Sequence, residues 1–260
     1  WGLPIIQGTT KDQLAKGAGH YVGTAMPGAI GNFAIAAHRS THDEPFAKAP
    51  KAGKPEAPRT GAPIKSNSKG EPLRPGILWL DGRAADQVRR FGTEHIHQLT
   101  GFQPDVTPSV YKIAWLKDNE PEVLRHAHKV VGVHAYLVHA LTGRWVDSAA
   151  AADSLGLFNM AALTWSEKML GIVGLRESQL CELVPAASVI DTITSEITQG
   201  WGLSQPVQLV ASCGDGQAAA LGVGAIGLDE AYLNMGTALV AGVHSPTYEH
   251  AGVFRTDAAG

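Results

Sequence analysis

The segment ASCGDGQAAALGVGAIGLDEAYLNMGT, residues 211–237, holds a lone carboxylate, Asp215, in a glycine-rich part of the chain. The mostly apolar run 206–211 predicts a short buried strand, which Gly214 ends. The Ala- and Leu-rich run 217–226 predicts a helix that Gly227 ends. Asp215 is therefore expected at a strand-to-helix turn. By itself, this position is also typical of an Asp that only caps the following helix.

A second strand is predicted directly after that helix. Residues 231–235, AYLNM, have the apolar character of a strand and run into Gly236-Thr237. The backbone amides of such a glycine-containing bend can approach a phosphate. The sequence thus places a carboxylate and a possible phosphate-binding turn on neighbouring strand ends, in an α/β arrangement.

Composition limits the classes of function. Charged residues make up 17% of the 260 residues and hydrophobic residues 44%, which indicates a folded chain. A formal net charge of −3 and a pI near 6.4 argue against nucleic-acid or anionic-membrane partners. Two cysteines, Cys181 and Cys213, are too few for a disulfide framework. We therefore expect a reducing compartment, with the cytoplasm as the default.

An Asp and an Arg follow a short apolar run in the stretch LRPGILWLDGRA, residues 73–84. Residues 76–80 predict a buried strand, and Asp81 and Arg83 would point to the same side if the extended backbone continued. A carboxylate and a guanidinium together suit the recognition of polyol hydroxyls. The alternative is an Asp/Arg ion pair that caps the predicted helix 84–91, and the local pattern does not choose between them.

These stretches, taken in order, resemble the FGGY family of carbohydrate kinases over residues 73–260. The matching motifs are Trp79-Leu80-Asp81-Gly82-Arg83, then Lys112-Ile113-Ala114-Trp115-Leu116 followed by Pro121-Glu122, then Gly214-Asp215-Gly216-Gln217-Ala218-Ala219, and then Met235-Gly236-Thr237. The resemblance implies a partial ribonuclease-H-like (actin-like ATPase) domain with parallel strands and covering helices. It also implies transfer of the γ-phosphoryl group of ATP, with Mg²⁺, to a sugar or polyol hydroxyl, with a pentulose as first candidate.

The same resemblance implies roles for five residues. Asp215 would be the catalytic base, Asp81 and Arg83 would bind the sugar, and Gly236 and Thr237 would contact phosphate. Part of the family pattern is missing, because the Asp-x-Gly-Thr hairpin expected before Leu73 does not occur in residues 1–72. The family's second domain is expected after residue 260. The chain is therefore expected to hold a central part of the first domain and to have negligible turnover alone.

The beginning of the chain shows a different pattern. Residues 17–46, GAGHYVGTAMPGAIGNFAIAAHRSTHDEPF, resemble the early part of the sortase transpeptidases. The resemblance would make His38 the catalytic-histidine equivalent in a short β-rich segment. A sortase also needs a cysteine after a Thr-Leu-x-Thr strand, and neither Cys181 nor Cys213 has that setting. A hydrogen-bonded packing role is therefore the favoured interpretation of His38.

These patterns divide the chain into three parts. Residues 1–47 form a sortase-like fragment, residues 48–72 a linker or exposed loop rich in Pro, Lys, Ala and Gly, and residues 73–260 the partial kinase domain. Besides the kinase, a non-catalytic chimera or binding module stays open, and a sortase-type cysteine transpeptidase is less favoured. No metal-binding motif is found, and the histidines of the helical region are expected to be surface or packing residues: His126, His128, His134 and His139.

Overall fold

The computed structural model describes residues 70, 72–79, 81–235, 239–253 and 255–258. The predictions for His38, Gly236 and Thr237 lie outside the described residues. So do the sortase-like segment 1–47 and nearly all of the predicted linker. The description that follows concerns the part of the chain assigned to the kinase-like pattern.

Helices and short strands alternate along this part. The helices are α1 (Ala85–Phe91), α2 (Glu94–Thr100), α3 (Ser109–Asn119), α4 (Pro121–His126), α5 (Val133–Thr142), α6 (Ala149–Ala152), α7 (Glu167–Val173), α8 (Ser195–Gly200) and α9 (Asp215–Gly222), with 3₁₀ turns at Gly82–Ala84, Asp153–Leu155 and Glu177–Gln179. The strands are β1 (Val146–Ser148), β2 (Phe158–Asn159), β3 (Thr164–Trp165), β4 (Glu182–Val184), β5 (Val189–Thr192), β6 (Gln208–Val210), β7 (Ala231–Met235) and β8 (Leu239–Val243).

The described strands pair two by two. Strands β1 and β4 are parallel, with Asp147 opposite Leu183, whereas β2–β3, β5–β6 and β7–β8 are antiparallel. The predicted α/β class is confirmed, but β1–β4 is the one parallel pair among the described strands. The long connection from β1 to β4 carries α6 and α7, as a parallel crossover requires.

Helix α3 lies at the centre of the main core. Seven of its eleven residues are buried, and Ile113 and Leu116 are fully enclosed. The core around it includes apolar side chains of α2, α4, α5 and α7. Pro121 occupies the first turn of α4, where its missing N–H is not needed, so α3 ends before it. The proline therefore marks the boundary between the two helices.

Three predicted boundaries can be compared directly. Helix α5 ends at Thr142, with Gly143 in the left-handed conformation (φ +78°), as predicted. The predicted strand 76–80 is wrong for residues 76–79, because the Asp81 amide donates to the Leu78 carbonyl (3.1 Å) and turns the backbone. Helix α9 starts at Asp215 and ends at Gly222, since Gly224 adopts φ +79° and stops it before the predicted end at 226.

The glycine that follows α2 allows a test of how residues 255–258, the last described segment, pack on the domain. Gly101 and Gly143 both follow a helix with φ near +79°, but a Cβ at Gly101 would lie 2.5 Å from the Thr256 carbonyl oxygen, whereas Gly143 faces open space. Backbone strain alone costs about 1–2 kcal/mol in the left-handed region.

We expect Gly143→Ala to lose about that amount of unfolding free energy and Gly101→Ala to lose clearly more, because it also displaces residues 255–258. Urea denaturation of both variants measures the difference. Equal losses would show that the segment does not pack against Gly101.

Candidate functional site

Asp215 is the first residue of α9 and directly follows the loop after β6. Gly214 is the N-cap residue and has no side chain that could accept a hydrogen bond from the helix amides. The Asp215 carboxylate accepts one instead, from the Gly216 amide to its Oδ1 (3.1 Å). The helix amides favour a negative charge at this end. The carboxylate is half-buried, neither enclosed in apolar side chains nor fully solvated.

Gly216 lets two donors come close to this helix end. A Cβ at position 216 would lie 3.7 Å from the Tyr232 hydroxyl oxygen and 3.8 Å from Nη2 of Arg255. Burial, followed by the charge of Asp257, raises the pKa of Tyr232, and Asp215 adds to the same effect. The hydroxyl therefore keeps its proton, and Asp215 has both a phenol and a guanidinium in its neighbourhood.

A buried carboxyl group, Asp153, and a half-buried one, Asp257, lie near this site. Asp153 is 2% exposed and accepts a hydrogen bond from the Ala258 amide (2.7 Å). Asp257 accepts from Nε of Arg255 (2.9 Å), which lies over the Phe102 ring. Burial, and for Asp153 also the nearby Asp257, raises the pKa of both carboxyl groups. Sequence reasoning missed this pair, because residues 255–258 follow no periodic pattern and Asp153 belongs to a segment taken as scaffold.

Asp81 and Arg83 form an ion pair with each other. Nε and Nη2 of Arg83 donate to the two Asp81 oxygens at 2.9 Å and 2.7 Å, and the Arg83 amide donates to Oδ1 at 3.0 Å. Asp81 thus caps the 3₁₀ turn 82–84, and the guanidinium lies 4.9 Å from the Trp115 ring centroid. The hydrogen bonds to Arg83 lower the pKa of Asp81, against an opposing effect of burial. This is the ion-pair geometry that the sequence left open, and sugar binding by the pair stays a prediction.

The two groups are not joined by direct contacts. Among the described residues, no hydrogen bond or ion pair links Asp81 or Arg83 to Asp215. Gly236 and Thr237 lie outside the described residues. The shared cleft expected beyond the carboxyl ends of the strands therefore stays a prediction.

A buried lysine lies beneath Asp81. Lys112 is fully enclosed, and its Nζ donates to the carbonyl oxygens of Val106 and Thr107, the latter at 3.0 Å. Burial lowers the pKa of Lys112 to about 8, although the charges of Asp81 and Asp105 oppose the change. The sequence identified Lys112 as part of a motif but gave it no role. Its place within the mostly apolar run 110–116, VYKIAWL, was the available signal.

One histidine differs from its prediction. His134 was expected to be a surface or packing residue, but its Nδ1 lies 2.7 Å from Oδ1 of the buried Asp147. Within the described residues no group of three or more His, Cys, Asp or Glu side chains could hold a metal ion. None of the described helices is long and apolar enough to cross a membrane.

Comparison with known proteins identifies the family to which this chain belongs. The model of the N-terminal domain of the FGGY family of carbohydrate kinases matches residues 59–222, and the sortase domain model matches residues 1–72. Gluconokinase from Bacillus subtilis is 29% identical over 67% of this chain and 34% of its own length. Xylulose kinase from Escherichia coli is 31% identical over 64% of this chain and 34% of its own length.

The structural comparison agrees with the sequence comparison. Xylulose kinase from Lactobacillus acidophilus superimposes with a TM-score of 0.64 at 29% identity, covering 69% of this chain and 37% of that one. The described part is an α/β domain of the ribonuclease-H-like (actin-like ATPase) type, as predicted. The chain belongs to the FGGY family of carbohydrate kinases. It spans about a third of the length of the curated relatives it matches.

The buried lysine gives a pH-dependent prediction. Because the pKa of Lys112 falls from 10.5 to about 8 on folding, the unfolded chain binds more protons than the folded chain between these values. The unfolding free energy therefore rises with pH in this window, by about 1 kcal/mol per pH unit from this group. Lys112→Met should remove that rise.

Urea denaturation at several pH values between about 8 and 10 measures the slope. Lys168→Met, at an exposed position of α7, is the control for loss of a positive charge. An unchanged slope in Lys112→Met would contradict the burial of a charged lysine.

Proposed function

We propose that this chain contributes the sugar-binding part of a kinase that transfers the γ-phosphoryl group of MgATP to a hydroxyl group of a sugar or polyol. A pentulose is the first candidate acceptor, because xylulose kinases recur among the matched relatives. The observation that supports the proposal most is the half-buried Asp215 carboxylate at the N-terminus of α9, with Tyr232 and Arg255 beside it. Membership of the family supplies the reaction.

In this proposal Asp215 accepts the proton of the attacking hydroxyl. The hydroxyl oxygen forms a bond to the γ-phosphorus while the bond from that phosphorus to the bridging oxygen breaks, and ADP leaves. Catalysis of this kind depends mainly on alignment and charge stabilisation. A positioned base typically contributes on the order of 10² to 10⁴ in rate. Gly236 and Thr237 are proposed to contact phosphate through their backbone amides.

Asp81 and Arg83 are proposed to hold the sugar. The ion pair leaves both side chains able to form further hydrogen bonds. The Asp81 side chain is 25% exposed and that of Arg83 34%. A carboxylate can accept more hydrogen bonds than the three that Asp81 accepts here. Sugar hydroxyls could add to the pair without breaking it. The ring of Trp115 under the guanidinium limits its movement.

Sugar binding tests the role of Asp215 without requiring turnover. We expect D-xylulose to shift the NMR amide signals of Gly214, Gly216 and Arg83. We expect Asp215→Asn to weaken that binding by about tenfold to a hundredfold, the value of one hydrogen bond to a charged group. Asp229→Asn, an exposed Asp of the same stretch, is the matched control and should bind as the unaltered chain does. D-gluconate and glycerol complete the panel.

Two results would contradict this proposal. One is the absence of any shift with every sugar of the panel, and the other is equal binding by Asp215→Asn. ADP release is measured in parallel and is expected to be negligible for this chain, because the sequence holds no Asp-x-Gly-Thr motif. Sugar-dependent ADP release that Asp215→Asn abolishes would support the base and contradict the requirement for that hairpin.

The match to the sortase model favours a second candidate, peptide transfer, which can be tested separately. Acyl transfer by a sortase needs a cysteine thiolate, and the chain has two cysteines, both within the described residues. Burial raises the pKa of Cys181 and of Cys213, so both thiols stay protonated near neutral pH. Neither is prepared to act as a nucleophile.

We therefore expect no cleavage of a fluorogenic sorting peptide. A protein with sortase activity, assayed alongside, serves as the positive control. Cleavage that stops when the cysteines are alkylated would support peptide transfer and contradict the proposed kinase function.

A further inference from the structure

A chain of three hydrogen-bonding groups connects the sheet to the loop that carries Asp215. Asp147 lies in β1, and its Oδ1 is 2.7 Å from Nδ1 of His134 in the first turn of α5. Nε2 of the same ring is 3.2 Å from the backbone nitrogen of Ser212. Ser212 lies between β6 and α9, three residues before Asp215. Both ring nitrogens of His134 are therefore in use, one toward the sheet and one toward the loop.

The partners fix the protonation of the ring. A backbone N–H can only donate, so Nε2 of His134 must accept the hydrogen bond from Ser212. Nδ1 then carries the proton and donates it to the Asp147 carboxylate. The ring is neutral in this arrangement. The hydrogen-bond network thus selects the Nδ1–H tautomer.

Asp147 provides a rigid support for the ring. Its side chain is 2% exposed, and its strand is held by β4 in parallel pairing. Burial raises the pKa of Asp147, and His134 is the strongest of the groups that oppose this effect. Because a buried carboxylate that loses a hydrogen-bond donor is destabilised, the ring cannot turn away without cost.

The loop has further contacts on the same side. The Gly214 amide lies 3.3 Å from the Ala150 carbonyl oxygen, and Nε2 of Gln217 lies 3.2 Å from the same oxygen. Ala211 is buried with Val146 and other apolar residues. Residues on both sides of Ser212 are thus anchored on the β1–α6 segment, and His134 holds the point between these anchors.

We propose that His134, oriented by Asp147, is a positioning residue that holds the β6–α9 loop and so fixes the place of the Asp215 carboxylate. The functional part of this inference rests on the proposed role of Asp215. The competing interpretation is that the His134–Asp147 pair stabilises the domain and has no influence on the loop. The two interpretations predict different amide hydrogen exchange at Ser212 and Gly216 when His134 is replaced by Asn or Gln.

Two substitutions separate the hydrogen bond to Asp147 from the hydrogen bond from Ser212, and a third serves as a control. In His134→Asn the side-chain N–H₂ takes the place of Nδ1–H and keeps the bond to Asp147, but nothing reaches Ser212. In His134→Gln the side-chain oxygen takes the place of Nε2 and keeps the bond from Ser212. His128→Asn, at an exposed position between α4 and α5, is the control for loss of a histidine.

Amide hydrogen exchange, followed by NMR, provides the readout. The Gly216 amide donates to Asp215 Oδ1, so its exchange and chemical shift report the position of the carboxylate. We expect His134→Asn to speed exchange at Ser212 and Gly216 by about fivefold to tenfold, the value of one hydrogen bond, relative to amides of α3. His134→Gln should keep Ser212 closer to the unaltered chain. A ¹⁵N-histidine spectrum should show His134 as the Nδ1–H tautomer.

Several outcomes would overturn the inference. They are unchanged exchange at Ser212 in His134→Asn, faster exchange at Ser212 with an unchanged Gly216 signal, and an Nε2–H tautomer for His134. The sugar titration distinguishes this failure from failure of the proposed function. A loosened loop in His134→Asn, together with no D-xylulose binding by the unaltered chain, would support the positioning role and overturn the role of Asp215 as a base.

Discussion

Burial of helix α3 on most of its sides is the constraint on which the described structure depends. Such a helix leaves little room for polar groups, and burying one costs free energy unless it finds a partner inside the protein. Lys112 meets this requirement with two carbonyl oxygens of the preceding loop. Trp115, on the partly exposed side of α3, supports the Arg83 guanidinium. The core and the proposed sugar-binding pair therefore share one helix.

The proposed catalytic carboxylate depends on a different part of the core. Asp215 follows β6, and the loop before it rests on α5 through Ser212 and on α6 through Gly214. The first turn of α9 rests on α6 through Gln217. Helix N-termini after strand ends are suited to anionic groups and to ligands that carry them. The described contacts thus give each of the two polar groups its own support.

The sequence predicted the elements better than the contacts. The α/β class, the helix end at Gly143, the break before Pro121 and the position of strand β7 were predictable, because capping glycines, prolines and apolar runs act locally. The turn at Leu78–Asp81 was not, since it depends on a single backbone hydrogen bond in an apolar run that is typical of a strand.

The proposed site residues and their partners also differ in how far the sequence predicted them. Asp215 and the Asp81/Arg83 pair could be found from short motifs, since their spacing along the chain carries the signal. The partnership of His134 with Asp147, and that of Asp153 with Asp257, joins residues distant in sequence or set in irregular segments. No local pattern marks which buried carboxylate a distant side chain will meet, so these groups appear only when the chain is folded.

The carboxyl groups of Asp153 and Asp257 also make the free energy of unfolding depend on pH. Because folding raises the pKa of Asp153 and of Asp257, the folded arrangement holds protons that the unfolded chain releases at the same pH. Stability from such groups is complete below their unfolded pKa and is lost as the pH rises through the folded one. Folding, which brings Arg255 beside Gly216, is therefore favoured by these two carboxyl groups as the solution becomes more acidic.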